Sequence, residues 1–135
     1  MPKPPMSEGA RELLTVANPA VIAVSMPSGA PMSVATWYLL EDDGTVLVNM
    51  DARRARLRWM QERPQVSLTV LEHDEWYTHV SLRGAVVRWE HDAQRALADI
   101  DRLARHYTGG AFGDRRAARV SAWIEITHWH GWDLA

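Results

Sequence analysis

The sequence is a series of short apolar runs separated by tight turns, and this spacing limits the folds available to the chain. Runs rich in β-branched residues predict six strands, at 20–26, 31–41, 45–50, 66–71, 77–90 and 120–127. Asp42-Asp43-Gly44 is a strong hairpin signal between the second strand and the third. Because such short connections join antiparallel neighbours, the pattern favours closure into a small antiparallel barrel.

Helices are predicted at three places beside these strands. The first follows Ser7, which is a suitable N-cap residue. Asp51 can cap the second, over about 52–63. The third, over 92–107, repeats apolar residues every three or four positions. With no linker or repeat, the chain is expected to form one domain over 1–135.

Composition excludes several classes of protein. A formal net charge of −2 argues against whole-surface affinity for nucleic acid. No apolar run approaches the ~20 residues of a membrane helix, and the first residues lack the apolar core of a signal peptide. We therefore expect a cytoplasmic protein with no membrane partner. The absence of cysteine excludes a disulfide framework, a thiolate zinc site and a cysteine nucleophile.

Four arginines fall within six residues, at the predicted start of the second helix: Arg53, Arg54, Arg56 and Arg58. A helix N-terminus carries partial positive charge, so cations there repel it unless an anion is bound. Forked guanidiniums at such a terminus suit a phosphate group. The alternative is a solvated basic face in which Arg58 pairs with Glu62.

Other side chains indicate less. His128 and His130 lie two apart near a strand end, but metal sites normally need three or four ligands, so no metal is predicted. The sequence contains no nucleophile elbow, Walker loop, dinucleotide-binding glycine pattern or HExxH motif. Seven tryptophans, Trp37 and Trp76 among them, offer flat surfaces for a ring or for core packing.

The order of these segments resembles the pyridoxamine-phosphate oxidase-like split-barrel family, and within it the deazaflavin-dependent enzymes that use coenzyme F-420. The segments that carry the resemblance are Gly29–Ser33, Thr36-Trp37-Tyr38, Val48-Asn49-Met50 with Arg53–Arg56, Tyr77–Gly84, Ile100–Leu103, Tyr107–Gly110, Arg119-Val120 and Gly131-Trp132. Together they cover nearly the whole chain, from about Leu13 to Trp132.

The resemblance implies a mainly β protein with helices: a six- to seven-stranded antiparallel split barrel. It also implies a homodimer with the cofactor, F-420 (8-hydroxy-5-deazaflavin) or alternatively FMN, at the subunit interface. Expected cofactor contacts are Arg53, Arg54 and Arg56 on the phosphate; Asn49 and Met50 along the ring and its side chain; Ser33 and His79 near the ring; and Trp37 and Trp76 as flat walls.

The implied activity is hydride transfer from the reduced deazaflavin to a small conjugated organic acceptor, with no catalytic residue assigned. Two alternatives stay open from the sequence. One is an FMN-dependent oxidase or reductase, because FMN also presents a phosphate. The other is a non-catalytic module that binds a flavin or a tetrapyrrole, to which His128 and His130 would contribute.

Overall fold

The computed structural model describes residues 1–134, in which three helices accompany seven strands. The helices are α1 (Glu8–Thr15), α2 (Ala55–Glu62) and α3 (Ala93–Thr108). The strands are β1 (Ala20–Ser25), β2 (Pro31–Thr36), β3 (Leu39–Leu40), β4 (Val46–Asp51), β5 (Gln65–Leu71), β6 (His79–Glu90) and β7 (Arg119–Trp132). Among these residues, no helix combines the length and the hydropathy needed to cross a membrane.

The short connection between the two edge strands of the sheet brings these edges together. Its order is β2-β1-β5-β6-β7-β4-β3, with antiparallel neighbours throughout, so β2 and β3 form opposite edges. Only Trp37 and Tyr38 join those two edge strands. Three Cα-to-Cα steps reach roughly 10 Å at most, so the edges must approach one another. The sheet therefore curls into a barrel that is split along one seam, which confirms the expected fold.

The predicted strand over 31–41 is interrupted, and this is why there are seven strands. Tyr38 is fully buried, and its phenol donates a hydrogen bond to the carbonyl oxygen of Val16 at 2.8 Å. Its backbone N–H points to the phenol oxygen of Tyr107, at 3.4 Å, instead of to a neighbouring strand. Burying the Tyr38 ring thus turns the chain inward and transfers it from β2 at one edge to β3 at the other.

The start of α2 differs from the prediction. Asp51 does not cap the helix; it ends β4, and its carboxylate accepts hydrogen bonds from Arg53, through the backbone N–H at 2.9 Å and through the guanidinium at 2.8 and 3.1 Å. Arg54 occupies the N-cap position without a capping side-chain hydrogen bond. Because Asp51 binds Arg53, which precedes the helix, it does not cap the helix, and the helix begins only at Ala55.

Two apolar layers hold the barrel together. The inner faces of the strands pack with Leu13 and Leu14 of α1 and with Met60 of α2. Outside the barrel, α3 lays Ile100 and Leu103 on β4 and β7. The predicted third helix is confirmed, because its apolar stripe lies between an Asp92 side-chain cap and a left-handed Gly109.

The rest of the outer surface formed by residues 1–134, which we call the open sheet face, carries no helix. Strand register places one row of side chains across β2, β1, β5, β6 and β7 on this face: Ala35, Val21, Thr69, Ser81 and His130. A neighbouring row contains Ser33, Ala23, Ser67, Arg83 and His128. These side chains are mostly small, so a flat surface could approach this face closely.

Candidate functional site

An open cavity of about 780 Å³ lies at the seam where β2 passes into β3. That volume is within the range of small-molecule and cofactor sites. The seam, the α1–β1 connection, β4, α2, α3 and the start of β7 all contribute to its lining, which is Val16, Ala17, Pro19, Ala20, Ala35, Thr36, Trp37, Asn49, Arg56, His73, Ile100, Tyr107, Phe112 and Arg119.

One wall of the cavity is aromatic. The rings of Trp37 and Tyr107 stack at 5.3 Å with an interplanar angle of 13°, and Phe112 meets Trp37 edge-on at 6.2 Å. The Tyr107 hydroxyl donates to the carbonyl oxygen of Asn18 at 2.7 Å. Burial raises the pKa of Tyr107 to about 12, so the phenol is neutral at physiological pH. The wall is thus a rigid, uncharged surface that suits a planar ligand.

The cavity also contains two guanidiniums, those of Arg56 and Arg119. Neither forms an ion pair with any side chain in residues 1–134. Burial lowers the pKa of both groups, and Arg54 lowers that of Arg56 further. For Arg119, attraction to Asp51 opposes the effect of burial, while Arg56 adds to it. Positive charges gathered without an ion-pair partner mark a place where an anion would be stabilised.

Three of the predicted contacts line the cavity: Trp37, Asn49 and Arg56. Arg53 and Arg54 lie beside it at the start of α2 but do not line it. The Arg53 guanidinium is paired with Asp51, and its side chain is 81% exposed. Glu62 pairs with Arg63 at 3.2 Å and not with Arg58, so the alternative surface pair is not formed.

The remaining predicted contacts lie elsewhere. Ser33 and His79 are on the open sheet face, where His79 stacks on Trp132 at 4.5 Å. Trp76, in the β5–β6 hairpin, is 68% exposed. The Met50 side chain is 2% exposed and belongs to the inner core. Their roles as cofactor contacts stay predictions, because the cavity does not gather them.

Tyr107, Phe112 and Arg119 are among the lining residues that received no role from the sequence. The Tyr107 ring continues the apolar stripe of α3, which predicts burial but not a cavity. Arg119 precedes an apolar strand, a position that carries no functional signal by itself. Tyr107 and Arg119 belong to segments that carry the family resemblance, and that membership is the one signal in the sequence that could have placed them at the site.

The histidines do not converge on the cavity. His128 and His130 are on the open sheet face, opposite Arg83 and Ser81. His73 lines the cavity edge, where it lies 3.0 Å from a Glu72 carboxylate oxygen and 3.3 Å from one of Asp74. The Glu72-His73-Asp74 cluster is thus a set of neighbouring polar side chains in contact within a hairpin.

Asp101 of α3 binds Phe112 and Arg115 in the loop over residues 109–118, and we call these contacts the strap. Asp101, which is 8% exposed, accepts a hydrogen bond from the Phe112 backbone N–H at 2.9 Å. Its two oxygens also receive the Arg115 guanidinium at 2.8 and 3.1 Å. Arg115, and then the Phe112 N–H, hold the pKa of Asp101 below its usual range. The strap keeps the Phe112 ring in the cavity wall.

Asp101→Asn is expected to open this strap, because a neutral amide cannot attract Arg115 as a carboxylate does. Trypsin cleavage after Arg115 and Arg116 should accelerate by about tenfold, as expected on loss of one hydrogen bond to a charged group. Because the pKa of Asp101 is lower in the folded protein than the value near 4 of the unfolded chain, the carboxylate stabilises the fold above about pH 4. This stabilisation decreases as the pH falls below that value. The difference in Tm between wild type and variant should therefore shrink on acidification through that range. An unchanged cleavage rate would contradict the strap.

Solved structures share this fold at low sequence identity. A protein titled F-420 reductase is 23% identical with a TM-score of 0.82, over 93% of this chain and 98% of its own. A conserved hypothetical protein from Mycobacterium tuberculosis is 20% identical with a TM-score of 0.75, over 98% and 90% of the two chains. A putative pyridoxamine 5'-phosphate oxidase from Listeria innocua is 12% identical with a TM-score of 0.67, over 90% and 93%. No curated protein sequence matches.

The seven antiparallel strands and the seam define the class of fold, a split barrel. Within that class the family follows from the sequence itself. The profile of the pyridoxamine 5'-phosphate oxidase family matches residues 6–133, and the chain belongs to that family.

Proposed function

We propose that this protein binds the deazaflavin coenzyme F-420 and uses it for hydride transfer to a small conjugated organic acceptor. One observation carries the proposal: a single cavity combines a flat aromatic wall with two guanidiniums that form no ion pair within residues 1–134. A planar ring system joined to a phosphate needs both features in one site.

The residues present fit such a cofactor. Trp37, Tyr107 and Phe112 would bind the ring, while Arg56 and Arg119 would bind the phosphate. Arg54 and Arg53 add positive charge at the edge of the site. When bound, the coenzyme supplies hydride transfer at carbon. The side chains of this protein bind and orient the ring, and their apolar wall excludes water from it.

The choice of F-420 is supported by the structural similarity to the protein titled F-420 reductase, at a TM-score of 0.82. FMN is the second candidate, because the chain belongs to the pyridoxamine 5'-phosphate oxidase family and FMN also carries a phosphate. The arginines bind either phosphate, so the cavity alone does not favour one cofactor over the other.

We also propose that the protein is a homodimer in which a second copy covers the open sheet face. The buried residues of α1 and α2 pack inside the barrel, and α3 covers β4 and β7, so no helix in residues 1–134 reaches this face. Val21 and Trp132 are 36% and 37% exposed there. Such a dimer would place Ser33 and His79 at the interface, where the sequence predicts cofactor contacts.

Titration with F-420, FMN and riboflavin tests the function. Calorimetry and quenching of tryptophan fluorescence should show saturable binding of F-420. Riboflavin is the matched control for FMN, because it has the same ring without the phosphate, and it should bind more weakly than FMN. Binding of FMN without F-420 would establish the second candidate, and binding of neither would refute the proposal.

A further inference from the structure

Asn49 is a buried amide whose hydrogen-bonding groups are all engaged within the protein. It lies on β4 and is 8% exposed. Its Nδ2 donates to the carbonyl oxygen of Ala96 at 2.9 Å and to Oγ of Ser121 at 3.0 Å. The Ser121 hydroxyl in turn donates to an Asp99 carboxylate oxygen at 2.7 Å. With both amide protons used, Asn49 has no donor left for a ligand.

The remaining polar atom of Asn49 holds Arg119. Its Oδ1 accepts a hydrogen bond from Nε of Arg119 at 2.9 Å. The orientation of the amide is determined by this network, because the opposite orientation would place NH₂ against the Arg119 Nε–H. The guanidinium also lies over the Phe112 ring, at 4.8 Å from its centroid. Arg119 is therefore fixed on its Nε edge and on one face.

The other edge of the Arg119 guanidinium is free for a ligand. Its two terminal nitrogens form no hydrogen bond with residues 1–134, and the side chain lines the cavity beside Arg56. Asp51 is the backbone partner of Arg119 across β4 and β7, but its carboxylate is bound to Arg53. Asp51 and Asp114 both act on the charge of Arg119, but Asp51 pairs with Arg53 and Asp114 pairs with Arg116.

Arg56 and Arg119 are the phosphate contacts of the proposed function, and we call this pair the two-arginine clamp. We propose that Asn49 is a positioning residue that orients Arg119 within this clamp. A planar fork held at Nε presents its two terminal nitrogens in one direction, which matches the paired oxygens of a phosphate. Asn49 acts through Arg119 and does not contact the ring of the cofactor. The identity of the whole ligand rests on the proposed function, whereas the clamp itself is tested with an inorganic anion.

The first test measures binding of inorganic pyrophosphate to the full-length protein by calorimetry. Arg119→Gln and Asn49→Ala should each weaken binding, Arg119→Gln by about tenfold or more. The double variant Asn49→Ala/Arg119→Gln should bind no more weakly than Arg119→Gln alone, because Asn49 acts only through Arg119. Additive losses would overturn the positioning role, and so would unchanged affinity in Asn49→Ala.

A second variant guards against a simple folding defect. Arg119→Lys keeps the charge and leaves Asn49 in place, but lysine has no Nε–H at the position that Asn49 recognises. We expect it to lose nearly as much pyrophosphate affinity as Arg119→Gln; affinity equal to wild type would overturn the oriented clamp. In NMR spectra, the Arg119 Nε–H should exchange slowly in wild type and rapidly in Asn49→Ala, and equal exchange rates would contradict the positioning role.

The outcomes separate this inference from the proposed function. If wild type binds pyrophosphate through Arg119 but neither F-420 nor FMN, the clamp stands and the cofactor assignment fails. If wild type binds a cofactor and Arg119→Gln binds it equally well, the function stands and the clamp fails. Absence of pyrophosphate binding by wild type would also overturn the clamp.

Discussion

Arg56→Glu is expected to weaken binding of F-420, or of FMN if that is the cofactor, by about 1.5–3 kcal/mol, which is roughly 10- to 150-fold in Kd. The substitution removes a charge-assisted hydrogen bond and places a carboxylate in the cavity beside Arg119. That carboxylate would also pair with Arg119 and compete with the phosphate for it. Calorimetric titration measures the change, and the Tm of the variant shows whether the fold is intact.

Arg58→Glu is the matched control for this experiment. It makes the same change of charge on the same helix, but Arg58 is exposed and does not line the cavity. Only the general electrostatic attraction of the ligand should change, and salt screens that contribution at physiological ionic strength. Equal losses for the two variants would show that the basic segment acts as a diffuse positive surface, and the assignment of Arg56 to the phosphate would fail.

Gly84→Ala is expected to destabilise the fold by about 3 kcal/mol or more, with a fall in Tm of roughly 10 °C or more. Gly84 lies in β6 at an irregularity where the register with β7 shifts, between the pairs Arg83–His128 and Gly84–Ile126. A Cβ atom there would overlap the carbonyl oxygen of Glu125. Because the obstacle is backbone in the adjacent strand, relief requires separating two central strands. Thermal unfolding by circular dichroism measures the effect.

Gly131→Ala provides the comparison for Gly84→Ala. It lies on β7, and its added Cβ would meet the end of the Leu134 side chain instead of backbone. A flexible side chain can rotate away, so the expected loss is below about 1 kcal/mol. If both variants lost stability equally, the close approach of β6 and β7 at Gly84 would not be the cause.

Local signals in the sequence were sufficient for most of the fold. The apolar stripe defines α3, and β-branched runs define the strands, because these preferences act over a few residues. Two of the departures have a tertiary origin. The predicted strand over 31–41 is broken because Tyr38 bonds to Val16 and Tyr107. The helix predicted from residue 52 begins at Ala55, because Asp51 binds Arg53 instead of capping the helix.

The candidate site was only partly accessible to the same reasoning. An anion site near the start of α2 follows from the density of arginines, and Arg56 does line the cavity. Asp51 forms an ion pair with Arg53, and this pairing decides which arginines remain free to bind an anion. Charge patterns along a chain do not show the outcome of that pairing, because it depends on side-chain geometry at the end of β4.

The sequence by itself determined most of the strands, the main helix and the position of a cationic segment, since each depends on residues close together along the chain. Tertiary structure alone decided the composition of the cavity. Asn49 and Arg119 are 70 positions apart and meet only because β4 pairs with β7. Trp37 and Tyr107 stack only because the seam of the barrel lies against α3. Such contacts depend on strand register and barrel closure, which short-range preferences do not specify.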